Sequence, residues 1–216
     1  MSQKISFPDA AGLYLEIGSA VLTRCATRLV SGFQSMFFIS EETKLGYFRD
    51  HGIAHTKAGR YLRGLQLLEY VFEQRPDDLD VMLHLGLCRV RLGRKEDGIT
   101  LLEAAYARDT ANANSAKLLG LAYAQAGEHE RALPMLRQAV AVYPDNFSLL
   151  YRLGAALDNL GNQAEAIPYF ERALEQRPKA IKVIRAMAYA LEQLGDRDRA
   201  LACFKRADEL EDNEAA

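Results

Sequence analysis

Along most of the chain, apolar residues recur every three to four positions, the spacing of a buried stripe on one face of an α-helix. No stretch alternates apolar and polar residues as a half-buried strand would. The helical stripes come in pairs, and the pairs repeat. Leu68, Leu102, Leu136, Phe170 and Phe204 stand 34 residues apart, and Val71, Ala105, Ala139, Ala173 and Ala207 follow in the same register. Gly59, Gly93, Gly127, Gly161 and Gly195 fall where a first helix must end and the chain turn back. A left-handed helix C-cap favours glycine there. Gly52, Gly86, Gly120, Gly154 and Ala188 precede the turn, and Gly64, Gly98, Ala132, Ala166 and Ala200 follow it. Small residues at both places predict two antiparallel helices crossing at close range. Pro76, Pro144 and Pro178 close three of the units, with Thr110 and Asp212 at the matching places of the others. A proline there stops the second helix.

The period and the residue types resemble the tetratricopeptide repeat, which implies an all-α, right-handed superhelical solenoid of helix-turn-helix units. Five clear repeats run 45–78, 79–112, 113–146, 147–180 and 181–214. Residues 1–44 continue the frame as a degenerate N-terminal helix pair, with Cys25 in place of the turn glycine. Its first helix carries Tyr14 and Ile17, and its second is apolar over a wide arc through Phe33, Met36, Phe37 and Phe38. Those six residues are the candidates for docking onto a second copy of the chain; a cap on the first repeat is the plainer alternative.

Composition narrows the function. The chain is 49% hydrophobic and 26% charged, enough apolar material for a core, and its net charge of −2 favours neither nucleic acid nor an acidic lipid surface. Cys25, Cys88 and Cys203 are widely spaced without a Cys-x-x-Cys pair, so neither a disulfide framework nor a zinc site is indicated. The longest uncharged stretch, Leu29 to Ser40, is too short for a membrane span, which needs about 20 residues. The first residues lack the apolar core of a signal peptide. The expectation is a cytoplasmic protein, at most peripheral to a membrane.

No catalytic set is legible, and no cofactor motif occurs. His51 and His55 have the spacing that could hold one metal, but no glutamate follows the first histidine, and other repeats fill the two places with residues such as Leu85 and Leu157. A packed, hydrogen-bonded pair is expected instead of a metal site. First helices of such stacks line a concave face. The places that point into it hold Arg49, Asp50, Lys57, His84, Arg91, Lys117, Tyr151, Arg152, Asp158, Asn159, Lys182, Arg185 and Tyr189, with Leu83, Leu87 and Leu118 among the apolar ones. Cations outnumber anions, which suits a peptide bearing acidic groups and an apolar anchor. A solvated face with local ion pairs is the alternative. The acidic run from Asp208 to Glu214 is expected to solvate the last helix.

Several strings go beyond the generic repeat: Tyr47-Phe48-Arg49-Asp50, Gly52-Ile53-Ala54-His55, Arg152-Leu153-Gly154-Ala155-Ala156-Leu157-Asp158-Asn159-Leu160-Gly161 and Phe204-Lys205-Arg206-Ala207-Asp208-Glu209-Leu210. Together they resemble the MamA family of magnetosome-associated repeat proteins. That resemblance implies a cytoplasmic protein held peripherally on the magnetosome membrane through protein partners. It also implies homo-oligomers, in which the N-terminal unit seats on a neighbour's concave face, and a scaffold for other magnetosome-associated proteins.

Overall fold

A computed structural model describes residues 40–215. Ten helices follow one another among them: α1 (Glu41–Lys57), α2 (Tyr61–Gln74), α3 (Leu79–Arg91), α4 (Lys95–Arg108), α5 (Ala113–Ala126), α6 (His129–Val142), α7 (Phe147–Asn159), α8 (Gln163–Gln176), α9 (Ile181–Gln193) and α10 (Arg197–Ala215). The chain divides into two compact units, 1–46 and 47–216. Of the first unit, the described part is the start of α1, where the Ser40 hydroxyl accepts the Thr43 N–H at 3.2 Å and Glu41 and Glu42 occupy the first turn. Acidic side chains there complement the positive end of the helix dipole.

Among the described residues of the second unit, the helices from α2 onward touch only their own pair and the pairs beside it in sequence. The result is an all-α solenoid of five helix pairs among the described residues, as the 34-residue register predicts. The register residues carry the core. Leu68, Leu102, Leu136 and Phe170 are fully buried, and so are Val71, Ala105, Ala139, Ala173 and Ala207. The five turn glycines have φ between +75° and +91°. At Gly127, φ of +87° caps α5 and places the Glu128 N–H 3.0 Å from the Tyr123 carbonyl, a Schellman-type closure that a β-carbon would strain.

Close crossing of the paired helices depends on the small residues. A β-carbon on Gly98 would fall 2.6 Å from Val90 and 2.7 Å from the Gly86 carbonyl oxygen. Pro76, Pro144 and Pro178 each follow the end of a second helix, as expected. Pro134 and Pro168 lie inside α6 and α8, on exposed positions 34 residues apart. The second helices α6, α8 and α10 are also strapped to the end of the second helix before each. Gln138 donates to the Thr110 carbonyl at 2.7 Å, Arg172 to that of Pro144 at 2.7 Å, and Arg206 to that of Pro178 at 2.6 Å. Donors and acceptors both advance by one repeat. Ion pairs join the same helices: Arg131 with Glu103, Arg137 with Glu165 at 2.6 Å, and Arg199 with Glu171 at 2.8 Å.

Two expectations need correction. His51 is exposed rather than packed: its ring stacks on Tyr47 at 3.8 Å and its Nδ1 bonds to the Tyr47 carbonyl at 3.0 Å. Only His55 is part-buried, with Nδ1 lacking a partner among the described residues. The acidic run after Ala207 is not merely solvated, because Asp208 and Glu211 both pair with Arg185, at 3.2 and 2.8 Å.

Candidate functional site

The first helices α1, α3 and α5 form the walls of two adjoining recesses. One, of about 320 Å³, is lined by Arg49, Asp50, Ile53, Ala54, Lys57, Asp80 and His84. The other, of about 430 Å³, is lined by Thr56, Lys57, Asp80, His84, Leu87, Asn114, Lys117 and Leu118. Lys57, Asp80 and His84 belong to both. Helical spacing puts them there: Arg49, Ile53 and Lys57 follow one another at four-residue steps on α1, as do Asp80, His84 and Cys88 on α3.

Charge is distributed unevenly over these walls. Arg49 Nε donates to Asp78 Oδ2 at 2.6 Å, and its Nη2 donates to Asp80 Oδ2 at 2.6 Å. The bonds to Asp78, and then to Asp80, hold the guanidinium's pKa above its ordinary value despite partial burial. Asp78 also caps α3 by accepting the Val81 N–H at 3.1 Å. Burial works against its charge, but the Arg49 and backbone donors outweigh burial and leave its pKa lowered. Arg49 is therefore an internal tie rather than a free cation.

Lys117 differs. It is half-buried, and its ammonium stands 5.0 Å from the Tyr143 ring centre. Burial lowers its pKa, and the charge of Lys57 lowers it further. His84 is 8% exposed, and its Nδ1 donates to the Asp80 carbonyl at 2.8 Å. Burial depresses its pKa, with Lys57 and Lys117 adding to the effect and Asp80 opposing it.

The remaining groove candidates lie outside these recesses. Arg91 turns toward α2, 5.9 Å from the Tyr61 ring. Arg152 sits 5.8 Å from the Tyr151 ring, and Tyr151 reaches toward Phe170 at 6.3 Å. Asp158 is part-buried with Oδ1 unpartnered among the described residues, and burial raises its pKa. Asn159 donates to its own helix at Ala155. Lys182 is exposed, Arg185 is held by Asp208 and Glu211, and Tyr189 packs edge-on against Phe204 at 5.1 Å. Leu83, expected in the groove, is 1% exposed and belongs to the core. Tyr14, Ile17, Phe33, Met36, Phe37 and Phe38 lie outside the described residues.

Sequence reasoning missed Thr56 and Asp78. Thr56 is 2% exposed, donates to the Gly52 carbonyl at 2.9 Å and lies 3.1 Å from Cys88 Sγ. Asp78 belongs to a detectable register, since Asn112 and Asn146 cap α5 and α7 in the same way, 34 residues apart. Among the described residues, no three His, Cys, Asp or Glu side chains converge to hold a metal. Cys88 is buried against Thr56, and burial pushes its thiol pKa up, so it behaves as a core residue.

Family models described as tetratricopeptide repeat match residues 55–122 and 160–216, and 117–181. The magnetosome protein MamA of Paramagnetospirillum magnetotacticum is 40% identical over 78 residues, as is that of Magnetospirillum gryphiswaldense. Each match covers 36% of this chain and 36% of the relative, so the matched stretch spans little more than a third of those curated proteins. The solved structures align further. A MamA point mutant matches with a TM-score of 0.74 at 43% identity, over 79% of this chain and 99% of that one. A MamA structure of strain MSR-1 matches with a TM-score of 0.72 at 44% identity, over 80% and 98%. With repeat models over more than half its length and solved MamA chains aligned almost end to end, the chain belongs to the MamA family of tetratricopeptide repeat proteins.

Proposed function

We propose that this chain is a non-catalytic scaffold that assembles with copies of itself on the magnetosome membrane and gathers other magnetosome proteins there. The observation that carries this reading is the likeness to solved MamA chains over nearly their whole length. Curated relatives carry the name magnetosome protein. A stack of paired helices offers long surfaces and, in the second unit, recesses bearing both charged and aliphatic residues, which suits protein segments better than a small substrate. Membrane association runs through protein partners; among the described residues no helix is long and apolar enough to cross a bilayer. The apolar residues from Phe33 to Phe38 supply the self-docking element, and the concave face of a neighbour receives it.

Light scattering of the full chain, set beside a chain that starts at Leu45, tests this. Large assemblies that vanish in the shortened chain support the scaffold. A full-length monomer removes it. A second reading, a monomeric adaptor for an acidic and partly apolar peptide, draws on Lys57 and Lys117, which make no ion pair with a carboxylate among the described residues; it requires a monomer that still binds such a peptide.

A further inference from the structure

At α10 the stack exposes a face that its other second helices bury. Phe204 is half-buried, whereas its mates in the 34-residue register, Leu68, Leu102, Leu136 and Phe170, are fully buried. Leu201 is 55% exposed where Ile99 and Ile167 are 6% and 8%. Tyr189 of α9 is 53% exposed and meets Phe204 edge-on at 5.1 Å, which extends the same apolar patch. Further along the helix the residue type changes, with Asp208 standing where Val140 and Leu174 are buried. Steps of three and four residues place Leu201, Phe204, Lys205, Asp208, Glu211 and Asp212 on one side of α10.

Charge is segregated along that helix. Arg197, Arg199, Lys205 and Arg206 precede Ala207, against Asp198 alone, and after Ala207 come acids with no base. Arg199 is held by Glu171, and Arg206 donates to the Pro178 carbonyl. Lys205 is exposed and makes no ion pair with a carboxylate among the described residues. Of the acids, Asp208 and Glu211 are tied to Arg185, while Glu209 and Asp212 are exposed and make no ion pair among the described residues. A helix that is basic in its first half and acidic in its second complements a copy of itself laid antiparallel. A two-fold contact presents one patch to itself in that way.

We propose that this face of α9 and α10 is a two-fold contact between copies of the chain, in which the two α10 helices lie antiparallel, Tyr189, Leu201 and Phe204 of each copy pack against the other, and Lys205 of each meets Glu209 and Asp212 of the other. Charge segregation selects this occupant, and Tyr189 and Phe204 supply aromatic anchors. The contact goes beyond the scaffold reading, because it uses neither the residues from Phe33 to Phe38 nor the concave face. Docking of one kind of surface into another closes a ring or runs on in single file, and a two-fold contact joins such files in pairs.

The experiment is sedimentation velocity on the full chain, as it stands and with Phe37→Glu, which removes the self-docking element and leaves the two-fold contact alone. The Phe37→Glu chain should form a dimer that salt weakens. In that background Leu201→Arg, Lys205→Glu, and Glu209→Lys with Asp212→Lys should each weaken the dimer by about fivefold or more, with circular dichroism unchanged. An equimolar mixture of the Lys205→Glu chain and the doubly lysine-substituted chain should regain it, because opposite charges then meet at both ends of the pair. A Phe37→Glu chain that stays monomeric, an unchanged dimer in Leu201→Arg and Lys205→Glu, or a mixture no tighter than its components overturns the proposal. Large assemblies of the parent chain beside a monomeric Phe37→Glu chain would overturn the two-fold contact and leave the scaffold reading standing. A parent chain no larger than the dimer, and sensitive to Lys205→Glu, would remove the larger scaffold and support the two-fold contact.

Discussion

Arg49 on α1 and Asp78 at the start of α3 meet at 2.6 Å, Nε to Oδ2, across the boundary between two helix pairs. The same carboxylate caps α3 through Oδ1, which accepts the Val81 N–H. One side chain thus ends a loop, starts a helix and ties that helix to its predecessor. Removing it loses more than removing its partner.

Asp78→Ala is expected to destabilise the chain by about 2 kcal/mol and Arg49→Ala by about 1 kcal/mol, because the first loses both cap and pair and the second only the pair. Asp78→Asn keeps a capping oxygen and falls between them. Urea unfolding followed by circular dichroism gives the order. Equal losses for the two alanine variants would show that the cap contributes nothing.

Acid acts on the same carboxylate. The folded pKa of Asp78 is lowered relative to its unfolded value, so its contribution is fully present above about pH 4 and is lost as pH falls through the folded pKa. Urea midpoints measured from about pH 5 downward should drop less steeply in Asp78→Asn than in the parent chain.

His84 runs the other way. Its folded pKa lies below the unfolded value of about 6.5, so the unfolded chain takes up a proton first and stability falls as pH drops from about 6.5 toward the folded pKa. Lys57 on α1, Lys117 on α5 and Asp80 on its own helix are the charges that face it. Urea midpoints should therefore fall on going from about pH 7.5 to pH 6, and His84→Gln should flatten that fall.

Gly98→Ala should be costly although alanine favours helices. The added β-carbon meets the Gly86 carbonyl oxygen at 2.7 Å, and backbone cannot swing aside as a side-chain tip can. A loss of about 2 kcal/mol is expected, seen as a lower thermal midpoint. A neutral or stabilising result would mean that α3 and α4 separate at little cost.

The strap that Gln138, Arg172 and Arg206 make to Thr110, Pro144 and Pro178 falls, one repeat earlier in the same register, on Ala104 and Pro76, and alanine has no side-chain donor. Ala104→Arg supplies the missing donor. It should add about 0.5 to 1 kcal/mol and slow amide exchange at the start of α3. Unchanged exchange there would show that the strap does not couple the pairs.

The stack was legible in the sequence because its determinants are local and periodic. A crossing that tolerates only small residues writes Gly86, Gly120 and Gly154 into the same frame each time, and a turn needing positive φ writes Gly93, Gly127 and Gly161. The cap register of Asp78, Asn112 and Asn146 is equally periodic, but it falls on polar residues common in any loop, whose capping role shows only once the helix starts are known. The groove was only half legible. Places on the first helices gave Arg49, Lys57, His84 and Lys117 as neighbours, and the recesses bring them together. Which cations are already tied could not be read from one repeat at a time, because Arg49 reaches 29 residues to Asp78 and Arg185 reaches 26 to Glu211. His51 misled for a related reason: its place is apolar and buried in the later repeats, at Leu85, Leu119 and Leu153, but not in this one.

Among the described residues of the second unit, the helices from α2 onward touch only their own pair and the pairs beside it. Mechanically, the boundaries are springs joined in series, and compliances in series add. A small tilt at every boundary accumulates into a large change between distant first helices, with no single hinge and little disturbance of any one packed layer. Lys57 and Lys117 stand two boundaries apart across one recess, so any motion that narrows it loads both springs at once. The stiffness of those two boundaries, including the tie from Arg49 to Asp78, then helps set how tightly the recess can close.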